Sequence, residues 1–490
     1  MNEYNYDLFY EFEKSIVKII NKFISKNRNL LNLKFKGFDL EKTCEKLLYN
    51  ELASSDSFYN FFCDINKNTV KKSYIFDSYH VKLIATELAK IHGVKINKKN
   101  LLYKKNIFKK TFFILGYLFF IVFSYFFTFQ KNKKKSIICI LSNQKFKIKY
   151  EFLLKKFNQK IFYANFKNFI SFDNIKNLKC NFQIYFKDIL KQKSFFFMHK
   201  IYLKTYILDA SISMNSPLLI IFYEGDAYDH EIASEIGKKN NIKSVCIQWG
   251  SILYKKPKSS FRNSGHIDFL AWGKESKEIF LKYNPEINVK IIGAPNLKSY
   301  NYNKNKILFL LPQKSTQFNL EEVQKFTQLL MWAINKFPKK LIIRTHPQDN
   351  NVESIEKIIK QNQDLIEDSK KSSLGKSLSK SFMMITMGSS SIFEAAHHGV
   401  IPLLYAKSKR NIWNKNIQNL KFIYPCRLFE NQNILKLKHT ITSIEKNRSL
   451  RKKIVNKIIK EFKSEILYSG LRSKMLLNNY VEKIISNNSL

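Results

Sequence analysis

The sequence has no CxxC pair. Its six cysteines, Cys44, Cys63, Cys139, Cys180, Cys246 and Cys426, are scattered without metal-like spacing, so neither a cysteine-held zinc nor a dithiol redox motif is expected. A secretory leader is not expected: the opening MNEYNYDLFYEFEKS is polar and acidic, where a signal peptide would be basic and then apolar. Reduced thiols in the cytosol follow as the expectation. No GxGxxG follows the first candidate strand, so nicotinamide chemistry is not indicated. Arginine is scarce: there are eight, in a chain with 84 Lys+Arg against 39 Asp+Glu and a formal net charge of +45. The basic excess is therefore lysine, spread among Asn, Ile and Phe. No recognition helix, zinc finger or RNP signature accompanies it, so nucleic acid is not an expected partner. An anionic membrane surface accounts for the charge at least as well.

What is present is apolar mass. Hydrophobic residues make up 45% of the 490, and 43 are Phe. That excludes wholesale disorder and leaves enough to build two or three cores. Residues 1–106 read as a helical region, with helices over Tyr10–Ser25, from Asp39 to Leu52, and over Val81–Ile91. Within residues 107–130, the stretch Thr111–Phe129 (TFFILGYLFFIVFSYFFTF) is nineteen residues without a charge. At 1.5 Å per residue it makes roughly 28 Å of helix, about one hydrocarbon core. Lysines flank both ends, so charge gives it no direction. An in-plane or re-entrant membrane anchor satisfies both flanks.

From residue 131 to 302 the pattern is a βαβα series: strands at Ser136–Leu141, Pro217–Tyr223, Ile242–Gln248, Ile267–Trp272 and Val289–Ile292, with a helix over Ala227–Lys238. It implies an open parallel sheet. Glu224 and Asp226 follow the Pro217–Tyr223 strand, at the carboxyl end where ligands sit in such sheets. Residues 303–440 repeat the pattern, starting at Ile307–Leu311. The loop after that strand carries Lys314, Ser315 and Thr316, which can meet phosphates. Leu341–Pro347 (LIIRTHP) is a buried strand ending in Arg344 and His346, with Pro347 fixing the turn. Met383–Tyr405 reads as strand, tight loop, helix, strand. Gly388 ends the first strand, and Ser389, Ser390 and Ser391 offer hydroxyls at a helix start suited to phosphate. Glu394, a few residues into that helix, suits ribose hydroxyls, and Gly399 stops the helix. Basic helices follow at Ile434–Lys446 and Leu450–Ile485, the second within a C-terminal helical region at 441–490; their lysines can rest on lipid.

RTHP followed by GSSSIFEAAHHGVIPLLY resembles the donor half of GT-B glycosyltransferases of bacterial surface polysaccharides. The pattern is most similar to the group of bacterial sialyltransferases, polysialyltransferases and capsule Kdo transferases; glycerophosphotransferases of teichoic acid synthesis share a related one. The resemblance covers roughly residues 215–410 and lies in motifs. It implies an α/β fold of two Rossmann-like doubly wound domains facing a cleft, with the helical N-terminal region and membrane-associating segment added. It also implies a C-terminal helix that returns across the cleft.

The function it implies is inverting sugar transfer from a nucleotide donor to a surface polysaccharide or lipid-linked glycan, at the cytoplasmic face of the inner membrane. A CMP-linked acidic sugar is favoured as donor, with UDP-sugars next. His346 would donate to the donor phosphate, Arg344 would add charge, and Ser389–Ser391 would hold phosphate while Glu394 held ribose. Glu224 is the first choice of general base and Asp226 the second. The family carries an acid–acid–Gly motif there; this chain has Tyr223-Glu224-Gly225, so only the second acid matches. No cofactor and no metal are expected: there is no DxD motif, and the Lys/Arg/His set can replace a cation. Rivals are a glycerophosphotransferase-like enzyme, a UDP-sugar 2-epimerase and a non-catalytic polysaccharide-assembly protein.

Overall fold

The computed structural model describes residues 6–103, 138–141, 161–164, 196–223, 228–248, 265–295, 304–312, 320–345, 353–387, 391–405 and 434–487, apart from positions 32, 36, 54, 71, 72, 77, 97–100, 216, 266, 267 and 369–371 within them. The apolar segment Thr111–Phe129 lies outside the described residues. Among the described residues, no helix is long and apolar enough to cross a membrane.

The N-terminal region is mainly helical, as its periodicity predicts. It comprises α1 (Tyr6–Lys26), α2 (Arg28–Leu31), β1 (Lys34–Phe35), β2 (Phe38–Asp39), α3 (Glu41–Ala53), α4 (Asp56–Asn66), β3 (Tyr74–Phe76), α5 (Tyr79–Ile91) and β4 (Leu101–Tyr103). α1 buries Phe12, Ile16, Ile19, Ile20 and Phe23, which its 3.6-residue period stacks on one side. The Phe12 ring meets Phe58, Tyr59 and Phe62 of α4 at centroid distances of 6.1, 4.9 and 5.1 Å. α4 was not read from sequence, because its aromatic face carries no simple aliphatic period. Its start is set by Ser55, whose Oγ accepts from the Phe58 N–H at 3.2 Å.

Six parallel strands form the first sheet: β5 (Ile138–Leu141), β6 (Ile161–Ala164), β7 (Leu219–Tyr223), β8 (Lys243–Ile247), β9 (Asp268–Ala271) and β10 (Asn288–Ile291). Their spatial order is β10-β9-β8-β7-β5-β6. The helices between them include α6 (Phe196–Asn215), α7 (Tyr228–Lys239) and α8 (Lys274–Tyr283). Both faces of this sheet are covered, which is why its strands read as unbroken apolar runs. Ile220, Phe222, Cys246, Phe269 and Ala271 point into a core shared with the N-terminal helices. Leu219, Ile221, Val245, Ile247 and Leu270, one residue out of step, point into a second core. A buried ion pair ties the N-terminal region to the sheet's helices. Lys46 of α3 donates to Glu231 of α7 at 2.5 Å, and Glu231 also accepts from the Gly265 N–H at 2.8 Å.

The second sheet has five parallel strands: β11 (Lys306–Leu310), β12 (Leu341–Arg344), β13 (Ile366–Glu367), β14 (Ser381–Thr386) and β15 (Ile401–Leu404). Their order is β13-β12-β11-β14-β15. α9 (Leu320–Lys336), α10 (Glu353–Gln361), α11 (Leu374–Lys380) and α12 (Ser391–His397) connect them in turn. The fold is thus α/β, with two large all-parallel sheets in chain order among the described residues.

Three helices close the chain: α13 (Ile434–Lys446), α14 (Arg448–Glu465) and α15 (Gly470–Asn487). The sequence predicts one helix over Leu450–Ile485; the structure breaks it in two. Residues 466–469 leave helical geometry to meet the first half. Ala294 N–H donates to the Tyr468 carbonyl at 2.8 Å, and Leu467 N–H to the Trp272 carbonyl at 3.2 Å. Gly470, at φ +57°, reopens the helix. α15 then lays Leu477, Tyr480, Val481 and Ile484 on the outer face of the first sheet. Each aliphatic chain so buried stabilises by on the order of 1.5–3 kcal/mol. The chain therefore returns from the second half to complete the core of the first.

Candidate functional site

In each sheet the strand order reverses once, and each reversal opens a crevice at the carboxyl edge where ligands bind in doubly wound folds. In the first sheet it falls between β5 and β7. Tyr223 ends β7, which borders that crevice, and Glu224 and Asp226 follow it in sequence. Both lie outside the described residues.

In the second sheet the reversal falls between β11 and β14. Register fixes the height of each strand end. Leu310 of β11 pairs with Arg344 of β12, Phe309 with Ile385 of β14, and Thr386 with Leu404 of β15. Two backbone bonds extend the row: Leu311 N–H to the Arg344 carbonyl at 3.0 Å, and Tyr405 N–H to the Thr386 carbonyl at 2.7 Å. Arg344, Leu310, Thr386 and Leu404 therefore form one line along the carboxyl edge. The sequence just past that line is His346-Pro347 on one strand, Lys314-Ser315-Thr316 on the next and Gly388-Ser389-Ser390 on the third. These eight residues also lie outside the described residues; the strands that deliver them do not.

Three of the expected site residues are described. Ser391 is buried as the first residue of α12, and Glu394 is half-buried one turn later. Arg344 is buried, and its guanidinium is held within its own domain. Nη1 donates to Ser372 Oγ at 2.8 Å and Ser377 Oγ at 3.2 Å, and Nη2 donates to the Ser372 carbonyl at 2.5 Å. Ser377 in turn donates to Glu367, which stands opposite Arg344 in the β12–β13 pairing. Burial lowers the Arg344 pKa, and the fields of Glu367, Glu394 and Asp368 oppose that shift. Arg344 and Glu394, fifty positions apart in sequence, thus share one electrostatic environment.

Nothing in the local sequence marks the group that fixes Arg344. Ser372 and Ser377 sit in a stretch that reads as a Ser/Lys connector, and no local period marks either as a partner of β12. Nor does the local sequence mark the burial of Glu322, which is 2% exposed in the first turn of α9. Glu322 lies near Tyr405, whose hydroxyl is pushed up to about 12 by burial first and then by Glu322 and Glu321.

α12 is short and closed at its far end as expected. Gly399 adopts φ +61°, its N–H donates to the Ala396 carbonyl at 2.9 Å, and the Val400 N–H reaches the Ala395 carbonyl at 2.8 Å. This is the paired bonding of a glycine helix stop. Lys304 Nζ caps the same end by donating to the His398 carbonyl. His398 is buried beside it, and its pKa falls to about 4, through burial first and then His397 and Lys304. The sign follows from linkage. An unfolded histidine takes a proton below about pH 6.5, and the folded one does so only near 4. Stability should therefore fall as pH drops through that window. Thermal melts between pH 7 and 4 on wild type and His398→Gln should diverge, with the variant losing less; parallel curves would remove His398 as a cause.

No protein-family model matches the chain, and no curated protein matches it in sequence. Solved structures do resemble it. UDP-GlcNAc 2-epimerase from Neisseria meningitidis, bound to UDP-GlcNAc, is similar over 71% of this chain and 100% of its own, at 13% identity and a TM-score of 0.46. The wall teichoic acid polymerase TagF is similar over 79% of this chain and 99% of its own, at 12% identity and a TM-score of 0.46. Staphylococcus aureus MnaA, solved with UDP, is similar over 72% of this chain and 98% of its own, at 13% identity and a TM-score of 0.45.

Proposed function

We propose that this chain is a nucleotide-sugar-dependent glycosyltransferase of the GT-B type, inverting and metal-independent. The donor is a CMP-linked acidic sugar, with a UDP-sugar as the next choice. The acceptor is a surface polysaccharide or a lipid-linked glycan, met at the cytoplasmic face of the inner membrane. The observation that supports this best is the register of the second sheet. It brings the ends of β11, β12 and β14 to one height around the strand reversal, so the three phosphate-compatible loops begin side by side.

In this reading His346 donates to the donor phosphate and stabilises the charge that develops as the nucleotide leaves. Arg344 adds positive charge from its anchored place behind the strand ends. Lys314–Thr316 and Ser389–Ser391 hold phosphate oxygens, and Glu394 accepts from the ribose hydroxyls. Glu224, or failing it Asp226, takes the acceptor proton beside the reversal of the first sheet.

Nucleotide binding tests the donor side. At a hundred-fold excess over Kd, the right nucleotide should stabilise the folded chain by about 2.7 kcal/mol. That is readable as a rise in Tm with CMP, UDP or CDP. Glu394→Ala should cost ribonucleotides roughly 1.5–3 kcal/mol in calorimetry and leave 2′,3′-dideoxy analogues nearly unaffected. If no nucleotide shifts the melt, or if Glu394→Ala binds ribonucleotides as wild type does, the carboxyl edge of the second sheet is not the donor site.

A further inference from the structure

The segment joining α14 to α15 carries apolar side chains that the fold leaves in water. Leu467 is 41% exposed, Leu471 80% and Met475 63%. They recur every fourth residue, so Leu471 and Met475 share one stripe of α15. The need of this helix for a core face is already met on its other side, where Leu477, Val481 and Ile484 lie against the first sheet. The surplus is also local: two turns on, the outward positions are Asn479, Glu482 and Lys483.

Within this short segment the charge has one sign, although Glu461 and Glu465 end α14 just before it and Glu482 follows it. Between Ile466 and Val481 there is no acidic residue, and Arg472 and Lys474 stand among the apolar positions. The Arg472 guanidinium lies over the Tyr468 ring, 4.5 Å from its centroid. Just upstream, α14 exposes Lys452, Lys453, Lys457 and Lys460, with Ile459 43% exposed beside them. Aliphatic tips at the level of an Arg, a Lys and a Tyr, with lysines behind, fit an anionic lipid surface. Such a surface takes the tips below its headgroups and pairs the cations with lipid phosphates.

The segment is also rigidly seated. The Tyr468 carbonyl accepts from Ala294 and the Leu467 N–H donates to Trp272. These contacts lie just past β9 and β10, at the carboxyl edge of the first sheet. We propose that Leu467–Met475 is a membrane-docking element that inserts into an anionic bilayer and turns this edge toward it. The element is separate in sequence from the apolar segment Thr111–Phe129. It rests on the proposed function in one respect, the membrane-linked acceptor that the docked edge would receive.

The test reads position rather than activity, so it stands apart from the outcome of any transferase assay. Leu471→Cys, Met475→Cys and, as a control, Lys483→Cys are each labelled with an environment-sensitive fluorophore in the full-length chain, with the labelled unsubstituted chain as background. Vesicles of phosphatidylglycerol and phosphatidylcholine are added, with and without nitroxide lipid. Labels at 471 and 475 should shift to the blue and be quenched by nitroxide, while the label at 483 stays in water. Replacing phosphatidylglycerol with neutral lipid should weaken the shift about ten-fold or more. The proposal falls if the labels at 471 and 475 stay in water while the chain floats with the vesicles. It falls equally if the chain does not bind vesicles, if neutral vesicles give the same signal, or if the shift follows protein concentration without lipid and so reports self-association.

Discussion

Gly293→Ala should be the most destabilising single-methyl change in the first half, on the order of 3–5 kcal/mol in urea unfolding. Gly293 adopts φ +80°, and a Cβ there would stand 2.0 Å from the Tyr468 carbonyl oxygen. That oxygen belongs to backbone already bonded to Ala294, so it cannot swing aside as a side chain would. The methyl would push the crossing segment off the end of β10 and loosen α15 behind it. Gly93 supplies the control. It has φ +66° with nothing within 4 Å of a Cβ, so Gly93→Ala should cost only about 1 kcal/mol of backbone strain. Equal losses for the two variants would mean that the approach of Tyr468 to Gly293 is not what the glycine serves.

Glu224→Gln should lower turnover by roughly 10²–10⁴ and leave nucleotide affinity unchanged. Glu224 is the first residue in sequence after β7, the strand that borders the reversal of the first sheet. A general base is needed only when the acceptor hydroxyl is deprotonated, so the loss should be in kcat rather than in donor binding. Full activity in Glu224→Gln with loss in Asp226→Asn would move the role two residues along. Full activity in both variants would remove both carboxylates from the chemistry and place the general base elsewhere.

Most strands of the two large sheets were legible because parallel sheets covered on both faces read as unbroken apolar runs; β6, in a Phe- and Lys-rich stretch, was not. Leu341–Arg344 and the runs either side of Gly399 lie within a residue or two of where composition put them. Gly399 itself was legible as a stop because only a residue tolerant of φ +61° fits there. Spatial order was not legible. Nothing in β11 or β14 says that they are neighbours, and β13, two residues long, has no period to detect. The partners of Arg344 were hidden for the same reason: Ser372 and Ser377 acquire meaning only when β12 and α11 meet. The break between α14 and α15 was hidden because its cause, Ala294, lies far back in the chain. The loops that carry His346, Lys314–Thr316 and Ser389–Ser390 were legible as motifs, and the common height of the strands that lead into them came only from register.

The outer face of the first sheet is finished by α15, a helix that lies far down the chain from the strands it covers. A ribosome moving at about 5–20 residues per second completes β10 and then needs roughly ten to forty seconds more to release α15. Through that interval Leu219, Ile221, Val245, Ile247 and Leu270, which α15 finally covers, have no lid. The second half has to be synthesised while the first is still half-clothed, and the folding of the first half waits on α15.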